Sequence, residues 1–150
     1  MTQWQSTSAG RHLAGRSKRD TAPELALRSA LHRLGLRFRV DVPIARGCRP
    51  DILMRPHGLA IFVDGCFWHG CPQHGRKTPF TGPNASLWHD KMLRNRERDE
   101  RSSALAVAQG LMPLRVWECE VRANAGAVAE GVAALSVRAA DQPPAGSAAG

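Results

Sequence analysis

Cys66, Cys71 and His74 stand in a C-x4-C-x2-H arrangement, and Cys119 follows much later in the chain. Thiolates and an imidazole converging from a loop and a strand end are the S/N donor set that a tetrahedral structural zinc prefers. The spacing is not that of a common zinc finger, so it also admits thiols that never meet. The segment that carries it, residues 65–83, is rich in Gly, Pro, Cys, His and Trp and too irregular for a long element. A bound metal would supply the order that a core does not. Cys48, just ahead of Arg49 and Pro50, reads as a thiol with no ligand role.

A second kind of chemistry is suggested by Asp51, which follows Pro50 at the start of an apolar run, and by Asp64, which ends another. A carboxylate at a strand start, beside the backbone carbonyls of a neighbouring strand, is a hard oxygen site suited to Mg²⁺ bridging a phosphate. A Pro-Asp pair is also a common turn. His69 lies three residues after Cys66, where zinc would pin its backbone near those strand ends. A neutral imidazole there can take a proton from an attacking water, or it can itself be a zinc ligand. Glu24 falls in the first turn of a helix, where a negative charge also suits the helix N-terminus. Phe67 and Trp68 are adjacent aromatics on the same loop, placed either to pack in a core or to wedge into a base stack.

The elements that must position these groups are legible as patterns. Asp20 or Thr21 can cap a helix in which Leu27, Leu31 and Leu34 share a face before Gly35 stops it. Leu36, Phe38 and Val40 alternate with charged residues, as in a half-buried strand. Short strands follow at 51–54 and 59–64, separated by a turn at 55–58, and the three could form one antiparallel meander. A charged helix spans 85–109 and ends at Gly110, a strand covers 114–118, and an Ala-rich helix covers 125–139. Residues 1–19 read as a basic arm, 20–140 as one folded domain, and 141–150 as a disordered Pro/Gly/Ala/Ser tail. The αβββαβ order is that of an α/β fold of the restriction-endonuclease-like type, a mixed central sheet flanked by helices. Other α/β layouts share it.

The formal charge is +8, from 21 Lys and Arg against 13 Asp and Glu, spread over several elements. That balance fits a polyanion, and nucleic acid better than a membrane surface, which would call for one basic helix with a large apolar face. With neither an apolar span nor a secretory stretch in the sequence, a soluble cytoplasmic protein that meets DNA at the nucleoid is expected. Reduced thiols in that compartment argue against a disulfide framework.

Taken together, these residues resemble one family. Arg19, Asp20, Thr21 and Glu24; Gly35, Leu36, Phe38, Arg39 and Val40; and Arg49, Pro50 and Asp51 come first. Phe62, Gly65, Cys66, Phe67, Trp68 and His69 follow, then Trp88, Lys91, Asn95, Arg98 and Asp99, and last Val116, Trp117, Glu118 and Cys119. That order is similar to the very short patch repair (Vsr) endonucleases over about residues 8–122. The resemblance implies a PD-(D/E)xK core and Mg²⁺-dependent nicking 5′ to the thymine of a T:G mismatch left by 5-methylcytosine deamination. Asp51 and the Val63 carbonyl would hold Mg²⁺, His69 would activate the water, and Glu24 would support that histidine or a metal-bound water. Cys66, Cys71, His74 and Cys119 would hold structural Zn²⁺. Leu13, Phe67 and Trp68 would enter the duplex, and Lys91, Arg94, Asn95 and Arg98 would face it. Asp64 stands where the familiar pattern has a histidine near the scissile phosphate, so it joins the catalytic candidates with its role open.

The expected enzyme is thus a monomeric DNA mismatch endonuclease, a hydrolase acting on double-stranded T:G DNA. The resemblance also links it to a cytosine-5 methyltransferase and to mismatch-repair proteins. Two other readings fit the same residues: a strand-specific or restriction-type nickase acting on paired DNA, and a non-catalytic zinc module that binds distorted DNA.

Overall fold

In a computed structural model, the protein is described over residues 20–66 and 80–141, with side chains through residue 136. Leu13, Phe67, Trp68, His69, Cys71 and His74 therefore lie outside the described residues, as do the arm and almost all of the tail. The element order is α1 (Ala22–Arg33), β1 (Arg39–Val40), β2 (Ile52–Met54), a 3-10 turn (Arg55–His57), β3 (Leu59–Asp64), α2 (Ala85–Ala108), β4 (Met112–Trp117) and α3 (Glu118–Asp141).

The four strands form one sheet in the order β1-β2-β3-β4. The first three make the antiparallel meander, with Val40 opposite Ile52 and Ile52 opposite Ile61. β4 returns through α2 to lie parallel to β3, from Leu59 beside Met112 to Asp64 beside Trp117. A parallel return needs a long crossover, and α2 provides it.

Period-two alternation sorts the side chains onto two faces. Ile52, Met54, Leu59, Ile61 and Val116 point to one face, where they meet Leu27 and Leu31 of α1 and Val121 and Val132 of α3. Leu53, Ala60 and Phe62 point to the other, where they meet Ala106 of α2 with Ile44, Cys48 and Leu111. With both faces covered, β2 and β3 read as continuous apolar runs.

Three elements differ from expectation. β1 is only two residues long and both are exposed, because Asp41 adopts a left-handed conformation (φ 53°) that breaks the ladder. Leu36 and Phe38 still pack against the first core, from a loop. α3 starts at Glu118, well before 125, and its path is interrupted at Asn124 (φ −163°, ψ 87°). The Asn124 carboxamide oxygen accepts the Ala127 N–H at 2.9 Å and so caps the second segment, which is the helix the Ala-rich pattern indicates. β4 begins two residues earlier than expected, at Met112. In α1, Gly35 (φ 77°) closes the helix as anticipated, but Leu34 is 45% exposed while Leu31 is fully buried.

That contrast gives a direct test of the packing. Leu31→Ala should cost about 2–5 kcal/mol in denaturant unfolding. Leu34→Ala should stay within about 0.5 kcal/mol of the parent. Equal losses at the two positions would contradict the assigned helix face.

Candidate active site

The C-terminal ends of β3 and β4, the start of β2, the first turn of α1 and the second half of α2 enclose a cleft of about 540 Å³. Glu24, Asp51, Val63, Asp64 and Arg98 line it, with Arg46, Arg49, Asp99, Ser102 and Arg115. Five of the expected site residues are thus brought together from four elements far apart in sequence.

Asp51 owes its position to the way the β2–β3 ladder ends. Its own N–H donates to the Ile61 carbonyl at 3.0 Å. The next donor along β3, the Val63 N–H, finds no backbone carbonyl on β2 and donates to Asp51 Oδ2 at 2.7 Å. The carboxylate therefore continues the ladder by one step. Both polar groups of a strand residue point to the same edge. The Val63 carbonyl consequently faces the Asp51 side of β3, beyond the last residue of β2.

The electrostatics of this corner are unusual. Burial pushes the Asp51 carboxyl up to about 7, helped by the negative charges of Glu24, Asp41 and Asp64, and the Val63 N–H only partly offsets this. Glu24, 5% exposed, is also raised by burial, against the lowering effects of Arg28 and of hydrogen bonds from Thr21 and the Asp20 backbone. Its Oε2 lies 3.6 Å from Arg28 and has no hydrogen-bond partner among the described residues. A cluster that raises its own proton affinity in this way is one that a cation would relieve. Among the described residues no three His, Cys, Asp or Glu side chains close a metal site by themselves.

Asp64 is buried, and Arg115 of β4 binds both its oxygens, at 3.0 and 3.3 Å. The added carboxylate thus has an arginine partner. The guanidinium lies 4.3 Å from the Phe62 ring centroid, as expected from the Phe62–Arg115 register. Arg115 was not among the expected site residues. Its signal in the sequence is a lone charge between Leu114 and Val116, which alternation alone assigns to a solvent face.

At the same strand ends, Cys66 and Cys119 each stand two residues beyond the paired Asp64 and Trp117. The Cys66 N–H donates to Glu118 Oε1 at 3.2 Å, and neither thiol is in a disulfide. Cys48 is buried elsewhere, its Sγ donating to the Ser102 carbonyl at 3.2 Å. On α2, Lys91, Arg94 and Arg98 are exposed and Asn95 is partly so. Lys91 and Asn95 are one turn apart, as are Arg94 and Arg98.

Buried carboxylates of raised proton affinity, with the exposed Arg98 on the same cleft, are an arrangement that can take a divalent cation and a phosphate together. Residues 7–74 match the family model described as DNA mismatch endonuclease Vsr. The chain is 43% identical over 114 residues to the type II nicking enzyme V.NaeI of Lentzea aerocolonigenes, covering 73% of this chain and 67% of that one. It is 42% identical over 107 residues to the type II nicking enzyme V.XorIIP of Xanthomonas oryzae pv. oryzae, covering 71% and 75%. With the DNA mismatch endonuclease Vsr of Escherichia coli K12 it shares 39% identity over 104 residues, covering 69% and 65%. The chain belongs to the Vsr family and is a DNA endonuclease. No helix among the described residues is long and apolar enough to cross a membrane.

The raised Asp51 carboxyl has a measurable consequence. An unfolded Asp titrates near about 3.9, whereas folded Asp51 titrates at about 7. The folded form therefore holds an extra proton between those values. Its stabilising contribution is complete below about pH 4 and is lost as pH rises through about 7. Without divalent metal, thermal stability should fall from about pH 5 to about pH 8. Asp51→Asn should flatten much of that slope and be more stable at about pH 8, by on the order of 1–3 kcal/mol. An unchanged slope in the Asn variant would contradict the assigned environment.

Proposed function

We propose that this endonuclease nicks one strand of duplex DNA 5′ to the thymine of a T:G mismatch, using Mg²⁺ held at the Asp51 corner of a restriction-endonuclease-like core. The observation that carries the reading is the Asp51 carboxylate, fixed by the Val63 N–H in a cleft where burial, aided by neighbouring acidic groups, raises its proton affinity. Asp51 and the Val63 carbonyl would hold the cation. When bound, Mg²⁺ stabilises negative charge on the scissile phosphate and makes a coordinated water more acidic.

The protein's own groups supply the rest. His69 takes the proton of the attacking water. Glu24, buried at the start of α1, orients that histidine or a water. Asp64 lines the cleft with its charge opposed by Arg115. Lys91 and Asn95 on α2 face the DNA, Arg94 and Arg98 beside them contact phosphates, and Leu13, Phe67 and Trp68 enter the duplex beside the mismatch. Unstacking costs least at a wobble pair, so insertion also selects it. Such mismatches come from deaminated 5-methylcytosine, which links the enzyme to a cytosine-5 methyltransferase and to mismatch repair. It acts as a monomer, in the cytoplasm at the nucleoid.

For the second metal, Cys66, Cys71, His74 and Cys119 would hold structural Zn²⁺. The support is that two thiols outside any disulfide follow the ends of adjacent parallel strands, which the hydrogen bond from the Cys66 N–H to Glu118 links.

A second reading, a strand-specific nickase acting on paired DNA, is favoured by relatives that are themselves type II nicking enzymes. One assay separates the two. A library of duplexes with randomised flanks is incubated with Mg²⁺, carrying T:G in one set and T:A in the other, with Asp51→Ala as control. Nicking of T:G alone, lost in the control, is expected. Equal cleavage of both sets would support the nickase, and uncut T:G DNA in all contexts would refute the enzyme reading.

Elemental analysis should find about one zinc per chain. Chelation, or joint replacement of Cys66 and Cys119 by Ser, should lower the melting temperature, because metal binding is coupled to folding. A metal-free chain with unchanged stability would refute the zinc assignment.

A further inference from the structure

Arg115 is explained neither by the Asp51 corner nor by the DNA-facing side of α2. Its Nε donates to Ser103 Oγ at 2.9 Å. One terminal nitrogen donates to the Asp99 carbonyl at 2.7 Å and to Ser102 Oγ at 2.9 Å. The other meets the two Asp64 oxygens at 3.0 and 3.3 Å and lies 3.6 Å from Asp99 Oδ1. A guanidinium has five N–H donors. Five hydrogen bonds, from Nε and both terminal nitrogens, hold it inside the protein, so the guanidinium is engaged by the fold and not aimed into the open cleft.

We infer that Arg115 is a positioning residue: it offsets the charge of Asp64 where the phosphate must approach, and it ties α2 to the Asp51 end of β3. The inference rests on the cleft being the nuclease site proposed above. Asp64 is 6% exposed, follows Val63 directly and lines the same cleft as Asp51. An unopposed carboxylate in that place would repel phosphate and strengthen the pull on a divalent cation. Through Asp99, Ser102 and Ser103 the same guanidinium fixes the turn of α2 next to Arg98, which lines the cleft. Arg115 thereby sets where a phosphate-binding arginine stands relative to Asp51, in the way outer partners orient the groups that touch a ligand.

The test uses the full chain and two readouts that need no turnover. These are calorimetric binding of Mg²⁺ to the DNA-free protein, and anisotropy of a labelled duplex without divalent metal. Arg115→Gln should bind Mg²⁺ roughly threefold to tenfold more tightly and the duplex more weakly by a similar factor. Adding Asp64→Asn should return Mg²⁺ affinity to within about twofold of the parent and recover part of the duplex affinity, because the double variant restores the net charge of the pair but not the tie to α2. Arg115→Lys keeps the charge but cannot span the acceptors on α2. It should leave Mg²⁺ affinity within about twofold and weaken duplex binding.

If Arg115→Gln does not fold, the Lys and double variants decide the matter by the same expectations. Loss of both affinities in step with melting temperature, with no reversal in the double variant, would show a merely structural arginine and overturn the inference. Neither readout depends on nicking. Failure of the parent to cut T:G DNA would therefore sink the proposed function without deciding this question.

Discussion

Six residues of β3 run beside six of β4 in parallel register, and the Asp64–Arg115 pair and the crossover helix depend on that pairing. It places Arg115 next to Phe62 and within reach of Asp64, and sets Cys66 and Cys119 two residues past the last pair. It also requires a crossover, and the 24-residue helix α2 within it is about 36 Å long at about 1.5 Å per residue. Only the second half of α2 contributes buried residues, Ser102 and Ala106. The first half carries Lys91 and Arg94 on an exposed surface. The element that closes the sheet topology therefore also presents the basic face.

A second constraint acts at the other edge of β3. β1 stops at Val40 because Asp41 turns left-handed, and β2's backbone ladder stops at Ile52. The sheet thus has a frayed corner in which backbone donors and acceptors of β3 outlast their strand partners. Asp51 fills one of these vacant positions with a side chain. Having a carboxylate in place of a peptide carbonyl brings charge into a buried corner, and Glu24, Asp41 and Asp64 add to it. The corner therefore costs local stability at neutral pH, as is often so where pKa values are strongly displaced.

The helices and the central strands were legible because each is long enough to show a period. α1 from its Pro and Glu start to Gly35, α2 up to its Gly110 stop and β3 from Leu59 to Asp64 all follow from apolar spacing and breakers. β1 was overread because alternation in Leu36, Phe38 and Val40 persists in a loop that packs on the core without pairing. The first turns of α3 were missed because Trp117, Glu118 and Cys119 look like the end of a strand. The same pattern supports a helix start once β4 has left the sheet.

Asp51, Glu24 and Asp64 could be picked out by type and local position, yet their convergence rests on tertiary contacts that no local pattern encodes. Arg115 shows this most clearly. Its role comes from lying beside β3 and under α2 at once. The proposed function stands on the Asp51 corner binding the catalytic cation. Replacing Mg²⁺ by Fe²⁺ and generating hydroxyl radicals in situ would map that corner directly, by cutting the protein's own backbone near the bound metal. Fragments ending near residues 51 and 63 are expected, suppressed by excess Mg²⁺ and absent in Asp51→Ala. Cleavage confined to other segments, or unaffected by that substitution, would contradict that assignment.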